Sequence, residues 1–135
     1  MHRDGGNNWP SEFMISGYYN YIKSFIDFSV GEKPKVLEFA CGTGANLRFF
    51  DEIGFEVYGI DSSKSAIERC IQRGFKEENF SPVNILQGIE ISDIWPNTKF
   101  DLIIFLSATA YFDDNDLNIL NKKFYNALKN RGAFL

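Results

Sequence analysis

The run Val36-Leu37-Glu38-Phe39-Ala40-Cys41-Gly42-Thr43-Gly44-Ala45-Asn46-Leu47 decides how the whole chain is read. Its first residues are mostly apolar, and they stop at a cluster of small ones. A short apolar run closed in this way fits a buried parallel strand that turns into a helix. Gly42 and Gly44 allow a sharp turn and leave no Cβ between backbone and ligand, at the carboxyl end of the strand, where open α/β sheets bind their ligands. Glu38 interrupts the apolar run. An unpaired carboxylate there is costly, so it is expected to organise the turn or to meet a cation. Asp61 follows Gly42 by 19 residues, at the end of the next strand. A carboxylate in that place can accept two hydrogen bonds from a ribose diol, which suits an adenosine-containing cofactor, although Asp61-Ser62-Ser63 is also a good helix start. Taken alone, the Gly-x-Gly pair is equally well a tight turn.

The alternation extends in both directions. Upstream, Met14, Tyr18, Tyr21, Ile22 and Phe25 recur at helical spacing behind Ser11, a candidate N-cap, and Gly31 and Pro34 are expected to end that helix. Downstream, Phe55 to Ile60 reads as a second strand, and Ala66, Ile67, Cys70 and Ile71 stripe a helix from about Ser63 to Arg73 that Gly74 stops. Val83 to Leu86 is the expected third strand. Phe100 to Leu106, the most apolar segment, suits the centre of the sheet. Leu117, Leu120, Phe124 and Leu128 form a further helix behind the acidic residues Asp113 and Asp116, and Gly132 to Leu135 begins one more strand. Ile89 to Lys99 reads as loop. Strands alternating with helices imply a parallel α/β sheet with right-handed crossovers.

Composition narrows the functional classes. The chain has 135 residues with 44% hydrophobic and 16% aromatic content, enough for one domain with a real core. Its 14 Lys and Arg against 18 Asp and Glu give a net charge of -4, the wrong sign for a module that neutralises nucleic-acid phosphates. Cys41 and Cys70 lie far from any C-x-x-C spacing and no Cys or His cluster completes a metal site, so no metal is expected. Two reduced thiols and a polar start without an apolar core segment fit a soluble cytoplasmic protein with no membrane partner. Residues 1–10, with two Gly, two Asn and Trp9-Pro10, read as a flexible arm that carries His2.

On these motifs the sequence is similar to the class I S-adenosylmethionine-dependent methyltransferases, whose first motif reads acidic-x-Gly-x-Gly-x-Gly. Glu38, Gly42 and Gly44 match it, Ala40 stands at the first Gly, and Asp61 matches the family's acidic residue on the ribose hydroxyls. Phe100-Asp101-Leu102-Ile103 resembles the fourth strand, and Leu128 to Leu135 the turn into the fifth. The resemblance covers residues 34–135. It implies a Rossmann-like parallel sheet in the order 3-2-1-4-5 with helices on both faces. It also implies S-adenosyl-L-methionine as cofactor, held by Glu38, Ala40, Cys41, Gly42, Thr43, Gly44, Asp61 and Ser62. Residues 11–135 are thus read as the cofactor-binding domain, truncated before the family's last strands. The family's Asp beside adenine is replaced: Gln87-Gly88 is followed by Ile89, with Glu90 one position later.

For catalysis, Tyr111 is the candidate, because it follows Ser107 to Ala110 past the fourth strand, where acceptors meet the methyl in this fold. Cys41 is read as a small filler in the turn. Tyr18 belongs to the apolar stripe. The expected activity is methyl transfer to a small molecule, and an apolar fifth strand at the sheet edge invites self-association. The alternatives are a noncatalytic cofactor-binding or association module, and a nicotinamide-dependent oxidoreductase. Against the last stands Leu47, which occupies the third Gly position of Gly-x-Gly-x-x-Gly.

Overall fold

The computed structural model of the chain describes residues 9–28, 31–106 and 112–135. Five parallel strands form one sheet in the order β3-β2-β1-β4-β5: β1 (Lys35–Phe39), β2 (Glu56–Ile60), β3 (Phe80–Ser81), β4 (Phe100–Ile104) and β5 (Leu128–Phe134). The helices are α1 (Glu12–Gly17), α2 (Ala45–Glu52), α3 (Lys64–Gln72), α4 (Ile91–Ile94) and α5 (Asp114–Ala127). The expected strand order and the doubly covered sheet are both present. One face buries Val36, Val57 and Leu102 against Met14, Leu47, Phe50 and Ile67 from α1 to α3. The other buries Leu37, Tyr58, Ile60 and Ile103 against Ile91, Leu120 and Phe124 from α4 and α5. Side-chain alternation along β1 therefore turns Glu38 to the α2 side, with Val36.

Several element boundaries differ from the sequence reading, each for a local reason. α1 begins as expected, with the Ser11 hydroxyl accepting from the Met14 N–H at 3.2 Å. It then widens into a π-turn over Tyr18–Ile22 and tightens into a 3-10 turn over Lys23–Phe25, ending well before Gly31. The widened turn keeps Met14, Tyr18 and Ile22, spaced by four, in one buried line. Tyr21 and Phe25, expected on that line, are rotated out to 72% and 69% exposure.

The third strand is Phe80–Ser81 rather than Val83 to Leu86. Pro82 has no N–H to extend the ladder beyond it. Asn84 then folds the chain into a turn, its Oδ1 accepting from the Leu86 N–H at 3.0 Å. Within the expected loop, Ile91–Ile94 forms a helical turn held by a reciprocal Glu90–Asp93 capping box. β5 starts at Leu128, straight after α5, not at Gly132. Phe100 pairs with Leu128 and Leu102 with Ala133, so a wide bulge lies opposite Asp101. Lys129 pairs with Asp101 there at 3.0 Å. That bulge is why the segment reads as a turn.

Candidate cofactor site

β1 and β2 end side by side, with Phe39 level with Ile60. Beyond them the chain turns through Ala40 to Gly44, and the turn is knitted to the end of β2. The Cys41 N–H donates to the Ile60 carbonyl at 3.1 Å. The Gly42 N–H donates to Asp61 Oδ2 at 2.9 Å, and Asp61 Oδ1 accepts from the Ser63 N–H at 2.8 Å. Asp61 thus organises both the glycine turn and the start of α3, which Ser63 caps through the Ala66 N–H. Each carboxylate oxygen has a second acceptor site, so the ribose role is compatible with this one.

Ala40 has φ 60°, in the left-handed region. The backbone therefore asks for glycine there, and alanine sits under mild strain. Gly42 (φ 57°) and Gly44 (φ 87°) share that region but differ in surroundings. A Cβ on Gly42 would meet nothing within 4 Å. On Gly44 it would lie 2.7 Å from the Phe75 ring and 3.4 Å from Cys70 Sγ. Gly42 leaves open the approach to the turn, whereas Gly44 admits the close packing of α2 against the segment after α3. Space beside the backbone is thus open at Gly42 and filled by Phe75 at Gly44.

Two clefts meet at Ala40. The larger, about 450 Å³, is lined on one side by Glu38, Cys41, Gly42, Thr43 and Asn46, and on the other by Trp9, Phe13 and Leu106. The smaller, about 100 Å³, lies between Asp61, Ser62, Asn84 and Phe112. The eight expected cofactor residues are thus gathered at the carboxyl ends of β1 and β2. Another cavity, at the amino end of β2, is lined by Lys35, Glu56 and Lys76, whose charges are paired with each other at 3.5 and 3.8 Å.

Glu38 distinguishes the larger cleft. It is 2% exposed, and Oε2 accepts from Asn46 Nδ2 at 2.8 Å. Among the described residues, Oε1 is the buried side-chain oxygen or nitrogen without a hydrogen-bond partner. Burial pushes the carboxyl up to about 8, against the lowering effect of the Asn46 bond, with Cys70 and Asp61 adding to the rise. A buried carboxyl group with an unpartnered oxygen beside a glycine turn can accept hydrogen bonds from an ammonium group. A nucleoside at the Asp61 end and an aminoacyl chain at the Glu38 end describe the two halves of S-adenosylmethionine, so the residues present fit that group.

Sequence reasoning missed several neighbours. Asn46 was visible only as a polar residue in the first turn after the glycines. Its signal was the donor that a buried Glu38 requires. Cys70, from α3, donates to the Gly42 carbonyl at 3.3 Å, and Cys41 and Cys70 are both buried free thiols. Cys41 Sγ donates to the same carbonyl at 3.6 Å, and the nearby Cys70 thiol together with burial pushes the Cys41 thiol well up, while Cys41 beside it lowers Cys70. The Cys41 thiol is thus buried and protonated in the turn. Glu90 lines neither of the clefts that meet at Ala40 and pairs with Lys123 at 3.4 Å. Tyr111 and His2 lie outside the described residues. No described helix is long and apolar enough to cross a membrane.

Comparison with known proteins agrees with this fold. Residues 36–132 match the family described as Methyltransferase domain. YqeM of Bacillus subtilis is 31% identical over 130 residues, covering 92% of this chain and 50% of that protein. The glycine/sarcosine N-methyltransferase of Halorhodospira halochloris is 29% identical over 124 residues, covering 84% of this chain and 44% of that one. The crystal structure of an S-adenosylmethionine-dependent methyltransferase from Clostridium acetobutylicum shares the fold with a TM-score of 0.62 at 24% identity, covering 90% of this chain and 55% of that chain. The chain spans about half the length of the curated relatives it matches. Over residues 36–132, from β1 into β5, the chain belongs to the class I S-adenosylmethionine-dependent methyltransferase family.

Proposed function

We propose that this chain binds S-adenosylmethionine across the Ala40 junction and supports transfer of its methyl group to a small-molecule acceptor. The observation that carries this reading is the buried Glu38, whose Oε1 is unpartnered and which lines the same cleft as Gly42. When bound, the cofactor supplies an electrophilic methyl on a sulfonium. The protein's part is to hold donor and acceptor in line and to keep water out, which requires no dedicated base.

Glu38 holds the ammonium. Asp61 and Ser62 hold the ribose, and the backbone of Ala40 to Gly44 passes close beneath the rest. Trp9, Phe13 and Leu106 provide an apolar rim on the acceptor side of the larger cleft. Tyr111 keeps its proposed place among the acceptor contacts, since it follows the carboxyl end of β4 in sequence. The small-molecule class draws support from the relative whose name gives glycine and sarcosine as its acceptors.

Calorimetry with S-adenosylhomocysteine and, separately, NAD tests the cofactor. Heat with the former alone is expected, and no heat with it at millimolar concentration overturns the reading. Release of S-adenosylhomocysteine, followed across small amines, thiols and hydroxyl compounds, tests the acceptor class.

A further inference from the structure

Asn46 occupies the second position of α2, behind Gly44, which offers no side-chain cap. Its side chain bridges two elements far apart in sequence. Oδ1 accepts from the Ser11 backbone N–H at 2.8 Å, and Nδ2 donates to Glu38 Oε2 at 2.8 Å. The orientation is fixed by chemistry, because a backbone N–H can only donate and so must face the amide oxygen. The connection therefore has a direction: the donor side of Asn46 serves the carboxylate and its acceptor side serves the N-cap residue of α1. Trp9 and Phe13, which flank Ser11, line the same cleft as Glu38.

We propose that Asn46 is a positioning residue that couples a cation held at Glu38 to the seating of α1 over the cofactor cleft. The inference rests on the functional reading above and adds to it a route by which the aminoacyl end of the cofactor closes the rim. A cation at Oε1 favours the ionised carboxylate. The Asn46 N–H bond to Oε2 then becomes charge-assisted, roughly twice as strong as its neutral counterpart. Polarisation along the amide strengthens the bond that Oδ1 accepts from Ser11 in the same step. Occupancy and closure thus share one chain of three groups, and linkage makes the effect reciprocal: loosening α1 weakens the ligand.

Ser11 separates this coupling from simple capping. Its φ of -66° is the angle proline imposes, so Ser11→Pro removes both the hydroxyl cap and the N–H, with the ring displacing the Asn46 amide that faced it, whereas Ser11→Ala removes the cap alone. Amide hydrogen exchange across α1 is measured with and without S-adenosylhomocysteine, and with 5′-methylthioadenosine, which lacks the ammonium. Circular dichroism and exchange in β1 and β4 check that each variant stays folded.

In the wild-type chain and in Ser11→Ala, S-adenosylhomocysteine is expected to slow α1 exchange by about fivefold or more, the lower end of typical coupling. Methylthioadenosine should leave α1 unchanged. In Ser11→Pro and Asn46→Leu the ligand should still bind, weakened by a similar factor, and α1 protection should vanish. Equal behaviour of Ser11→Pro and Ser11→Ala, or ligand protection surviving in Asn46→Leu, overturns the coupling and leaves the cofactor reading standing. Failure of S-adenosylhomocysteine to bind the wild-type chain overturns both.

Discussion

Asp61 Oδ2 accepts the Gly42 N–H at 2.9 Å, so one carboxylate at the end of β2 fixes the glycine turn at the end of β1. The same side chain accepts the Ser63 N–H at 2.8 Å. A residue that the sequence offers as a ribose ligand is therefore also the brace of the site. Asp61→Ala is expected to lower stability by about 1.5–3 kcal/mol, the usual value of a hydrogen bond to a charged group. It should also weaken S-adenosylhomocysteine by about tenfold or more. Asp61→Asn retains one acceptor oxygen and should fall between the two in both respects. Urea denaturation and calorimetry on the three proteins check this, and an unchanged affinity in Asp61→Ala removes the residue from the site.

The two glycines of the turn should respond differently to the same change. In Gly42→Ala the added methyl meets open space, and its cost is the left-handed backbone, about 1–2 kcal/mol. In Gly44→Ala the same backbone cost is joined by a 2.7 Å approach to the Phe75 ring, which must move. Gly44→Ala should therefore be the more destabilised protein by about 1–3 kcal/mol of overpacking. Gly42→Ala should keep its fold and lose ligand affinity. Ala40→Gly releases existing strain at φ 60° and should be neutral or stabilising by up to about 1 kcal/mol. Denaturation midpoints measured alongside ligand titration separate the three.

The legible part of this fold was the part that repeats a simple period. β1, β2 and β4 are apolar runs bounded by turn residues, and α3 and α5 carry both a capping residue and a stripe. β3 was misplaced because Val83 to Leu86 looks more like a strand than Phe80–Ser81. What decides the register is Pro82 and the pairing of Gly59 with Phe80, a long-range fact. The π-turn after α1 follows from tertiary packing of Tyr18 against Phe50 and Phe55, which no local pattern states. In the site, Glu38, Asp61 and the glycines were readable because their chemistry conflicts with their surroundings. Asn46 was not, since an asparagine in a first helical turn is unremarkable until the buried carboxylate beneath it is seen.

Lys123 shows the same difficulty on the other face. It lies on α5, 7% exposed, and its Nζ donates to the carbonyls of Ile85 and Ile89 at 2.6 Å each while pairing with Glu90 at 3.4 Å. Two of its N–H donors bond carbonyls and the charge is paired with Glu90, so the ammonium pins the turn after β3 to α5. Lys123→Met fills similar space but leaves two carbonyls without a partner, and should cost on the order of 2–3 kcal/mol. Ligand affinity should fall less than stability does, because Asn84 lies at the start of the pinned segment. A loss under about 0.5 kcal/mol in urea denaturation, the range of an ordinary surface change, contradicts this assignment.

Glu38 links stability to pH with a sign opposite to that of most carboxylates. Its ordinary value of 4.5 rises to about 8 in the folded chain, principally through desolvation. The folded state thus holds a proton that the unfolded state has released. Stability from this group is fully present below pH 4.5 and is lost as pH rises to about 8, at no more than about 1.4 kcal/mol for each pH unit. Glu38→Gln cannot ionise, so its stability relative to the wild-type chain should climb between pH 5 and 8 and then level off. The same variant should bind S-adenosylhomocysteine about tenfold or more weakly at pH 8, having lost the charged partner of the ammonium. Urea denaturation of both proteins at pH 5, 6.5 and 8 gives the comparison. Parallel pH profiles would mean that Glu38 titrates as an ordinary exposed carboxylate, and a profile that diverges in the opposite direction would mean that it is held ionised by a cation within the fold.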